Sequence, residues 1–306
     1  MNVMTNYFYP GKNEKYRFFA LAYFSTLIVL WTIFGQTVLG FEQSAIQPIA
    51  AVSAAFAMQF ILEYIDSKTN NRKPRYSGGI KSTILFFMPA VIPGCAVGFL
   101  IYPNELVWPM VFAAALSIAS KVMFRVPVGE GSQHIFNPSN FGITFTLSMF
   151  PWIGLAPPYH FTGHVEGMWH IILPVFILIS GIIVHGLFTG RLPLILAWLI
   201  GFVIQGLARS WYFGIPWNVP LVPMTSAAFI LFTLYMIPDP ATTPINTSRQ
   251  IIFGLAVSLA YAILLINNVV FGLFFALFVV CLIRGLGLYA VYIYNKVNSN
   301  LKLSVA

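Results

Sequence analysis

Apolar residues form long blocks along this chain, and short polar loops separate them. A helix needs about 20 mainly apolar residues to cross the hydrocarbon core of a bilayer. Most blocks approach that length, and two, at residues 139–149 and 225–237, are shorter. The pattern therefore predicts ten helices, at residues 18–39, 48–65, 83–101, 107–122, 139–149, 170–188, 192–207, 225–237, 250–266 and 269–294.

The composition supports an environment of lipid. Hydrophobic residues make up 58% of the chain, charged residues 8%, and the mean hydropathy is +0.82. A soluble domain of this length does not have these values. The net charge of +8 is scattered between the apolar blocks and forms no basic face, which argues against nucleic acid. We therefore expect an all-α integral membrane protein with the bilayer as its main partner.

The positions of Lys and Arg predict the orientation of the helices, because basic residues are retained on the cytoplasmic side of short loops. With ten spans and a cytoplasmic N-terminus, every one of the 16 basic residues except Arg209 lies inside. The expected organisation is an N-terminal segment (residues 1–17), a transmembrane domain (18–294) and a C-terminal tail (295–306), with both termini cytoplasmic. No small-residue cleavage site follows the first apolar block, so we expect a retained helix.

The two short blocks contain a repeated heptad. Residues 145–151 and 232–238 are identical at five of seven positions, at an offset of 87 residues. In the ten-span model the two copies cross the membrane in opposite directions, which is typical of an inverted repeat. We expect inverted halves at about residues 18–155 and 168–294, with the two short helices bounded by proline. Chance coincidence among common residues is the alternative.

The polar stretch before residue 139 has the pattern of a helix N-terminus. Asn137 is a suitable N-cap and Pro138 suits the first helical position. The free N–H groups of such a terminus attract anions, carbonyl groups or the edge of a flavin ring. The alternative is a capped loop whose polar groups satisfy one another. The candidate ligand residues here are Glu130, Gln133, His134, Asn137, Ser139 and Asn140.

A second polar group, Asp239, Thr242 and Thr243, follows the second short block on the same side. A carboxylate so close to a membrane segment is a candidate for function. Asp-Pro also begins turns, and an Asp can cap the next helix. We therefore take these three residues as further candidates for a ligand or cofactor pocket.

Both polar groups resemble motifs of one membrane family. The run from Phe136 to Gly142 and the run from Asp239 to Pro244 are similar to paired motifs of the NqrB/RnfD family, which comprises membrane subunits of the sodium-translocating NADH:quinone oxidoreductase and of the Rnf electron-transport complex. The stretch from Arg125 to Pro138 most resembles the UnbU-type branch of this family. The resemblance implies ten helices in two inverted halves, an architecture shared with urea transporters, in a bacterial inner (plasma) membrane.

The electron-transport members carry a flavin attached through phosphate to a threonine in a Ser-Gly-Ala-Thr stretch, and this chain has no such stretch. In the corresponding outside loop, residues 154–167, Thr162 is the only threonine, and its neighbours differ from the motif. We therefore expect no covalent flavin. Riboflavin or flavin mononucleotide (FMN) held without a covalent bond remains an alternative.

The histidines and cysteines give little support to a metal site. His160, His164 and His170 lie close together in sequence, but Glu166 is the only acidic ligand near them. Both cysteines lie singly inside apolar blocks, so we expect neither a disulfide nor an iron–sulfur cluster in this chain. We interpret His185 as an ordinary histidine of the membrane interface. We assign no metal ligands and no catalytic residues.

Two functions of different kinds fit these features. In the first, the chain is a membrane subunit that takes part in electron transfer together with partner subunits. In the second, it is a transporter or channel for a small molecule through the core of the inverted repeat. The family resemblance favours the first, and the missing covalent flavin site weakens it.

Overall fold

The computed structural model describes residues 14–129 and 131–305, with side chains from 18 to 298 within these ranges. This part of the chain is mainly helical. Glu130 and the first 13 residues lie outside it, as does Ala306. The helices are α1 (Glu14–Thr37), α2 (Ile46–Thr69), α3 (Ile80–Leu100), α4 (Trp108–Met123), α5 (Pro138–Met149), α6 (Trp169–Ile183), α7 (Leu192–Phe213), α8 (Ala227–Leu231), α9 (Thr247–Ile266) and α10 (Gly272–Val305).

Each predicted apolar block coincides with a helix, although some helix ends differ. Two of the helices continue as π-helical segments, α6 through Val184–Thr189 and α8 through Phe232–Met236. The last helix begins at Gly272, not at residue 269, because Asn268 and Phe271 have positive φ angles of 56° and 60°. Those left-handed residues are incompatible with a helix that runs through them.

Among the described residues, seven helices are long and apolar enough to cross a membrane: α1, α2, α3, α6, α7, α9 and α10. An eighth span is added if the 3₁₀ helix Val219–Thr225 and the segment Ala227–Met236 count as one, with a bend of 72° between them. The outer faces of these helices carry many exposed apolar side chains. The chain is thus an all-α protein of the multi-pass membrane type, as its composition predicted.

Two groups of helices form the bundle. In the first, α2 packs against α3 and α4, and α4 packs against α5. In the second, α7 packs against α9, and α9 packs against α10. The contacts that join the groups include those of α1 with the π-helical end of α6, of α5 with α10, and of the strand Arg125–Val128 with α10. Glycines allow the closest approaches, since a Cβ on Gly142 of α5 would overlap the Ala113 carbonyl and the Ser117 hydroxyl of α4.

Four short strands lie at the two ends of the bundle. We call the end that holds Lys68, Arg125, Arg191 and Arg249 the basic end. There β2 (Arg125–Val128) and β3 (Gly131–His134) form an antiparallel hairpin in which Arg125 is opposite His134. At the opposite end, the far end, β1 (Ile101–Tyr102) pairs with β4 (Gly154–Leu155). The sequence predicted no strand in this stretch before the N-terminus of α5, and the structure places an antiparallel hairpin there.

An ion-pair cluster closes the basic end of α2. Arg72 donates to both carboxylate oxygens of Glu63, at 2.6 and 3.0 Å, and also contacts Asp66. The Arg75 backbone N–H donates to Glu63 at 2.9 Å. Only 3% of the Glu63 side chain is exposed, so its charge is compensated almost entirely by protein groups.

Candidate functional site

A cavity of about 460 Å³ lies between the two groups of helices. Its walls come from α1, α3 and the start of α5 on one side, and from α6, α8 and the start of α10 on the other. Most of the lining is apolar, and two of its rings, Phe24 and Tyr235, stack with centroids 5.3 Å apart. A volume of this size suits a small molecule. The polar lining at the basic end includes Lys121, His134, Asn137, Ser139 and Asp239.

Asn137 connects the two groups of helices at this end. Its side-chain oxygen accepts from the Asn140 backbone N–H at 3.0 Å and from the Ser139 hydroxyl at 2.9 Å, which confirms the predicted N-cap of α5. Its Nδ2 donates to the Met236 carbonyl at 3.0 Å, in the π-helical end of α8. One side chain therefore caps α5 and holds it against α8.

The Asp239 loop is fixed by its own threonines. The Asp239 carboxylate accepts from the Ala241 N–H at 3.1 Å and from the Thr242 hydroxyl at 3.2 Å. The Thr243 hydroxyl donates to the Asp239 carbonyl at 2.7 Å. Arg191 then holds the loop from behind by donating to the Thr243 hydroxyl at 2.9 Å. These bonds place the Asp239 side chain in the cavity lining.

The two sequence motifs meet in space. Besides the bond from Asn137 to Met236, Arg284 of α10 joins them, with one donor to the Thr242 carbonyl at 2.8 Å and another to Gln133 Oε1 at 3.4 Å. Asn140 does not line the cavity, and its side chain donates to the Phe274 carbonyl at 3.1 Å.

The predicted site residues therefore divide into two sets. His134, Asn137, Ser139 and Asp239 line the cavity. The side chains of Asn140, Thr242 and Thr243 hydrogen-bond to lining residues, and that of Gln133 accepts from Arg284. Glu130 lies outside the described residues.

Lys121 is a cavity residue that the sequence analysis did not select. It lies in the last turn of α4, and its Nζ donates to the Pro89 carbonyl of α3 at 2.8 Å. That carbonyl has no partner inside α3, because the residue four positions later is Pro93, which has no N–H. The Pro-x-x-x-Pro spacing in this apolar helix could have predicted that a donor side chain from another helix binds the Pro89 carbonyl.

The sequence predicted that His185 is an ordinary histidine of the membrane interface, but the structure buries it inside the bundle. Only 4% of it is exposed, and it lines the cavity. Its Nε2 lies 2.6 Å from the Leu234 carbonyl and its Nδ1 lies 2.8 Å from the Thr189 hydroxyl. The histidine thus ties the two π-helical segments together. Such segments occur often at functional sites, because they redirect carbonyl groups out of the helix.

Burial and neighbouring cations set the charges near the hairpin. Burial first, and then the charges of Lys121 and Arg125, lower the pKa of His134 to about 3, so the imidazole is neutral at pH 7. Burial raises the pKa of Asp239, while its hydrogen bonds to Ala241 and Thr242, and then Lys121 and Arg191, act in the opposite direction.

The far-end histidines do not form a metal centre in the part of the chain that is described. His160 is buried and stacks on Phe41, with ring centroids 3.7 Å apart. Burial lowers its pKa to about 4. No three His, Cys, Asp or Glu side chains of the described residues are grouped as ligands for a metal ion.

Comparisons with protein-family models and with curated proteins find no match for this chain. Its function is therefore inferred from its own residues and their geometry.

Proposed function

We propose that this chain is a ten-span membrane subunit of the NqrB/RnfD type, UnbU-like branch, that takes part in electron transfer with partner subunits in a bacterial inner membrane. In this proposal it binds a flavin-class cofactor without a covalent bond, in the cavity between its two halves. The observation that carries the proposal is the meeting of the two motifs at one end of that cavity, through Asn137, Met236 and Arg284.

The lining suits a flat aromatic cofactor with one polar edge. Apolar and aromatic groups, among them Phe24, Tyr235 and Phe274, would cover the ring faces, and Lys121 and Asp239 offer a donor and an acceptor to the polar edge. When bound, such a cofactor supplies the capacity to accept and release electrons. The chain's own residues would fix its position and exclude water from it.

The packing supports the proposed halves, 18–155 and 168–294. Three contacts of the first half recur between the helices five positions later. The contact of α2 with α4 corresponds to that of α7 with α9. The contact of α4 with α5 corresponds to that of α9 with α10, and the contact of α1 with α3 to that of α6 with α8. The heptad match would instead pair α5 with α8. Three helix contacts thus recur at an offset of five helices, an odd number that suits an inverted repeat, whereas the contacts of α3 with α4 and with α5 are not matched by contacts of similar extent between α8 and α9 or α10.

A matched pair of variants tests the cofactor site. We expect the purified wild-type protein to be yellow, to bleach on reduction and to release all its flavin on denaturation. Asn137→Leu should lose the flavin while the protein remains folded, because the change removes the link between α5 and α8. Asn246→Leu is the control, since Asn246 caps α9 by the same kind of bonds and is exposed outside the cavity.

Absorption spectra and size-exclusion profiles of the three proteins give the result. A colourless wild-type protein after expression with riboflavin would contradict the proposal. Equal flavin loss in Asn137→Leu and Asn246→Leu would show that helix capping in general, and not the cavity, determines retention. Flavin that stays bound to denatured protein would contradict the non-covalent mode.

One observation favours the second candidate function, passage of a small molecule. The cavity lining reaches from Lys121 at the basic end to Pro157, Pro158 and Val270 at the far end. Along α3 alone the lining extends from Pro89 to Leu100, a rise of about 16 Å. Solute flux through vesicles that contain a colourless protein would favour this function over electron transfer.

A further inference from the structure

The far end of the cavity contains polar groups that the proposed function does not use. Residues 269–274, which connect α9 to α10 and form the first turn of α10, line the cavity there. In this connection Phe271 has a φ of 60°, and the chain turns at this residue into α10. The N–H groups of residues 270–273 form no hydrogen bond of normal length and angle within the described part of the chain. A run of backbone donors therefore remains for a ligand at this end of the cavity.

A side-chain donor, the Tyr261 hydroxyl, lies beside these N–H groups. The ring of Tyr261 lines the cavity and would lie 3.4 Å from a Cβ on Gly272, the first residue of α10. Phe202 stacks on this ring, with centroids 5.3 Å apart, and fixes its orientation. Only 7% of Tyr261 is exposed, yet its hydroxyl forms no hydrogen bond to the described protein groups. A buried hydroxyl without a partner is unfavourable, so a ligand that accepts from it would stabilise the site.

The charges around this end favour an anion with a single negative charge. The helix dipole is positive at the N-terminus of α10, a helix of 34 residues. Among the described residues, Arg209 in α7 is the only basic residue at the far end, and its charge acts on the Tyr261 phenol. Arg209 Nε donates to Gln205 Oε1 at 2.8 Å, and Arg209 forms no ion pair with a described carboxylate. The only carboxylate among the described lining residues, Asp239, lies at the basic end.

We propose that the far end of the cavity binds the carboxylate of a small organic anion. The carboxylate accepts hydrogen bonds from the Tyr261 hydroxyl and from the N–H groups of residues 270–273, and Arg209 attracts it through its charge. The apolar part of the anion packs on Leu265 and Val269, which also line this end of the cavity. The site lies at the opposite end from the polar contacts of the proposed flavin, so it goes beyond the proposed function and does not require that a flavin binds.

Calorimetric titration of the purified protein in detergent with octanoate and with octanamide tests the site. The two probes have the same chain and differ in charge, so wild type should bind octanoate about tenfold more tightly, the value of one hydrogen bond to a charged group. Tyr261→Phe removes only the hydroxyl and should weaken octanoate binding about tenfold. Its melting temperature without a probe should equal that of wild type, because the hydroxyl has no hydrogen-bond partner among the described residues. Arg209→Gln should weaken octanoate binding more than octanamide binding. Tyr212→Phe is the matched control, since Tyr212 is an exposed tyrosine of the far end, and it should change neither affinity.

Equal octanoate affinities of wild type and Tyr261→Phe would overturn the site. An equal loss in Tyr212→Phe would also overturn it, because binding would then not depend on the cavity. A lower melting temperature of Tyr261→Phe without a probe would show that the hydroxyl supports the fold and not a ligand. Octanamide binding as tight as octanoate binding would show that the site takes an uncharged carbonyl group, which contradicts the anion. A colourless wild-type protein that shows the expected octanoate binding would support this site and contradict the flavin function, so the two proposals can fail separately.

Discussion

Buried charged residues at the basic end meet two kinds of partner. Glu63 is compensated by an opposite charge, since Arg72 donates to both of its oxygens. Lys121 is held by a carbonyl group, and Asp239 by an N–H group and a hydroxyl. The first arrangement closes a helix end and has a structural role. The second keeps charged groups in a cavity lining, where they can act on a ligand.

The structural role of Glu63 gives the first prediction at this scale. Glu63→Gln removes the buried carboxylate that accepts from Arg72 and from the Arg75 N–H, and breaking such a buried pair costs about 3 kcal/mol. We expect Glu63→Gln to lower the melting temperature of the protein in detergent by about 5 °C or more. Asp66→Asn is the matched control, because 30% of the Asp66 side chain is exposed and such pairs contribute less than about 1 kcal/mol. Equal losses in the two variants would contradict the structural role of Glu63.

The sequence revealed the residues that act locally and missed those that act across the fold. Asn137 could be recognised as an N-cap because capping depends on neighbours in sequence. Lys121 could not be recognised in the same way, because a lysine at the end of an apolar helix is also what the membrane orientation rule requires. Its role depends on the Pro89 carbonyl, 32 residues away.

The helices show the same division between what lipid requires and what packing adds. All the predicted apolar blocks are helices, because a chain in lipid must satisfy its backbone hydrogen bonds internally. The two π-helical segments and the hairpin of β2 and β3 carry no apolar period. The π-helical segments depend on contacts between distant residues, such as that of His185 with the Leu234 carbonyl, so the sequence could not predict them.

Close helix packing is testable at Gly142, where α5 contacts α4. A Cβ at this position would overlap the Ala113 carbonyl, so we expect Gly142→Ala to displace α5 and to cost about 1–3 kcal/mol. Gly287→Ala in α10 is the control, because nothing lies within 4 Å of its added Cβ and alanine favours helix. The melting temperature should fall for the first variant and stay level or rise for the second. Similar values for both would show that α4 and α5 do not approach as closely as described.

At the scale of the whole molecule, the open question is whether α4 and α5 cross the membrane. With 16 and 12 residues they are about 24 and 18 Å long, shorter than the hydrocarbon core of about 30 Å. They nevertheless lie inside the bundle, between α2 and α10. Helices that pack against protein and line a cavity need not match the lipid thickness.

The position of the hairpin relative to the membrane decides between ten spans and eight. We propose single cysteines at four exposed positions, Ser77, Glu105, Val128 and Glu166, in a protein whose buried Cys95 and Cys281 are replaced by serine. With ten spans, Val128→Cys should react with a membrane-impermeant maleimide from the same side as Ser77→Cys, and Glu105→Cys and Glu166→Cys from the opposite side. With eight spans, α4 and α5 do not cross, and Val128→Cys would react together with Glu105→Cys.

A reporter fused after residue 306 determines the orientation of the protein in the membrane, because the basic residues predict that the C-terminus and Ser77 both face the cytoplasm. A reporter signal from the side of Glu166 would contradict that orientation, since an even number of spans places both termini on one side.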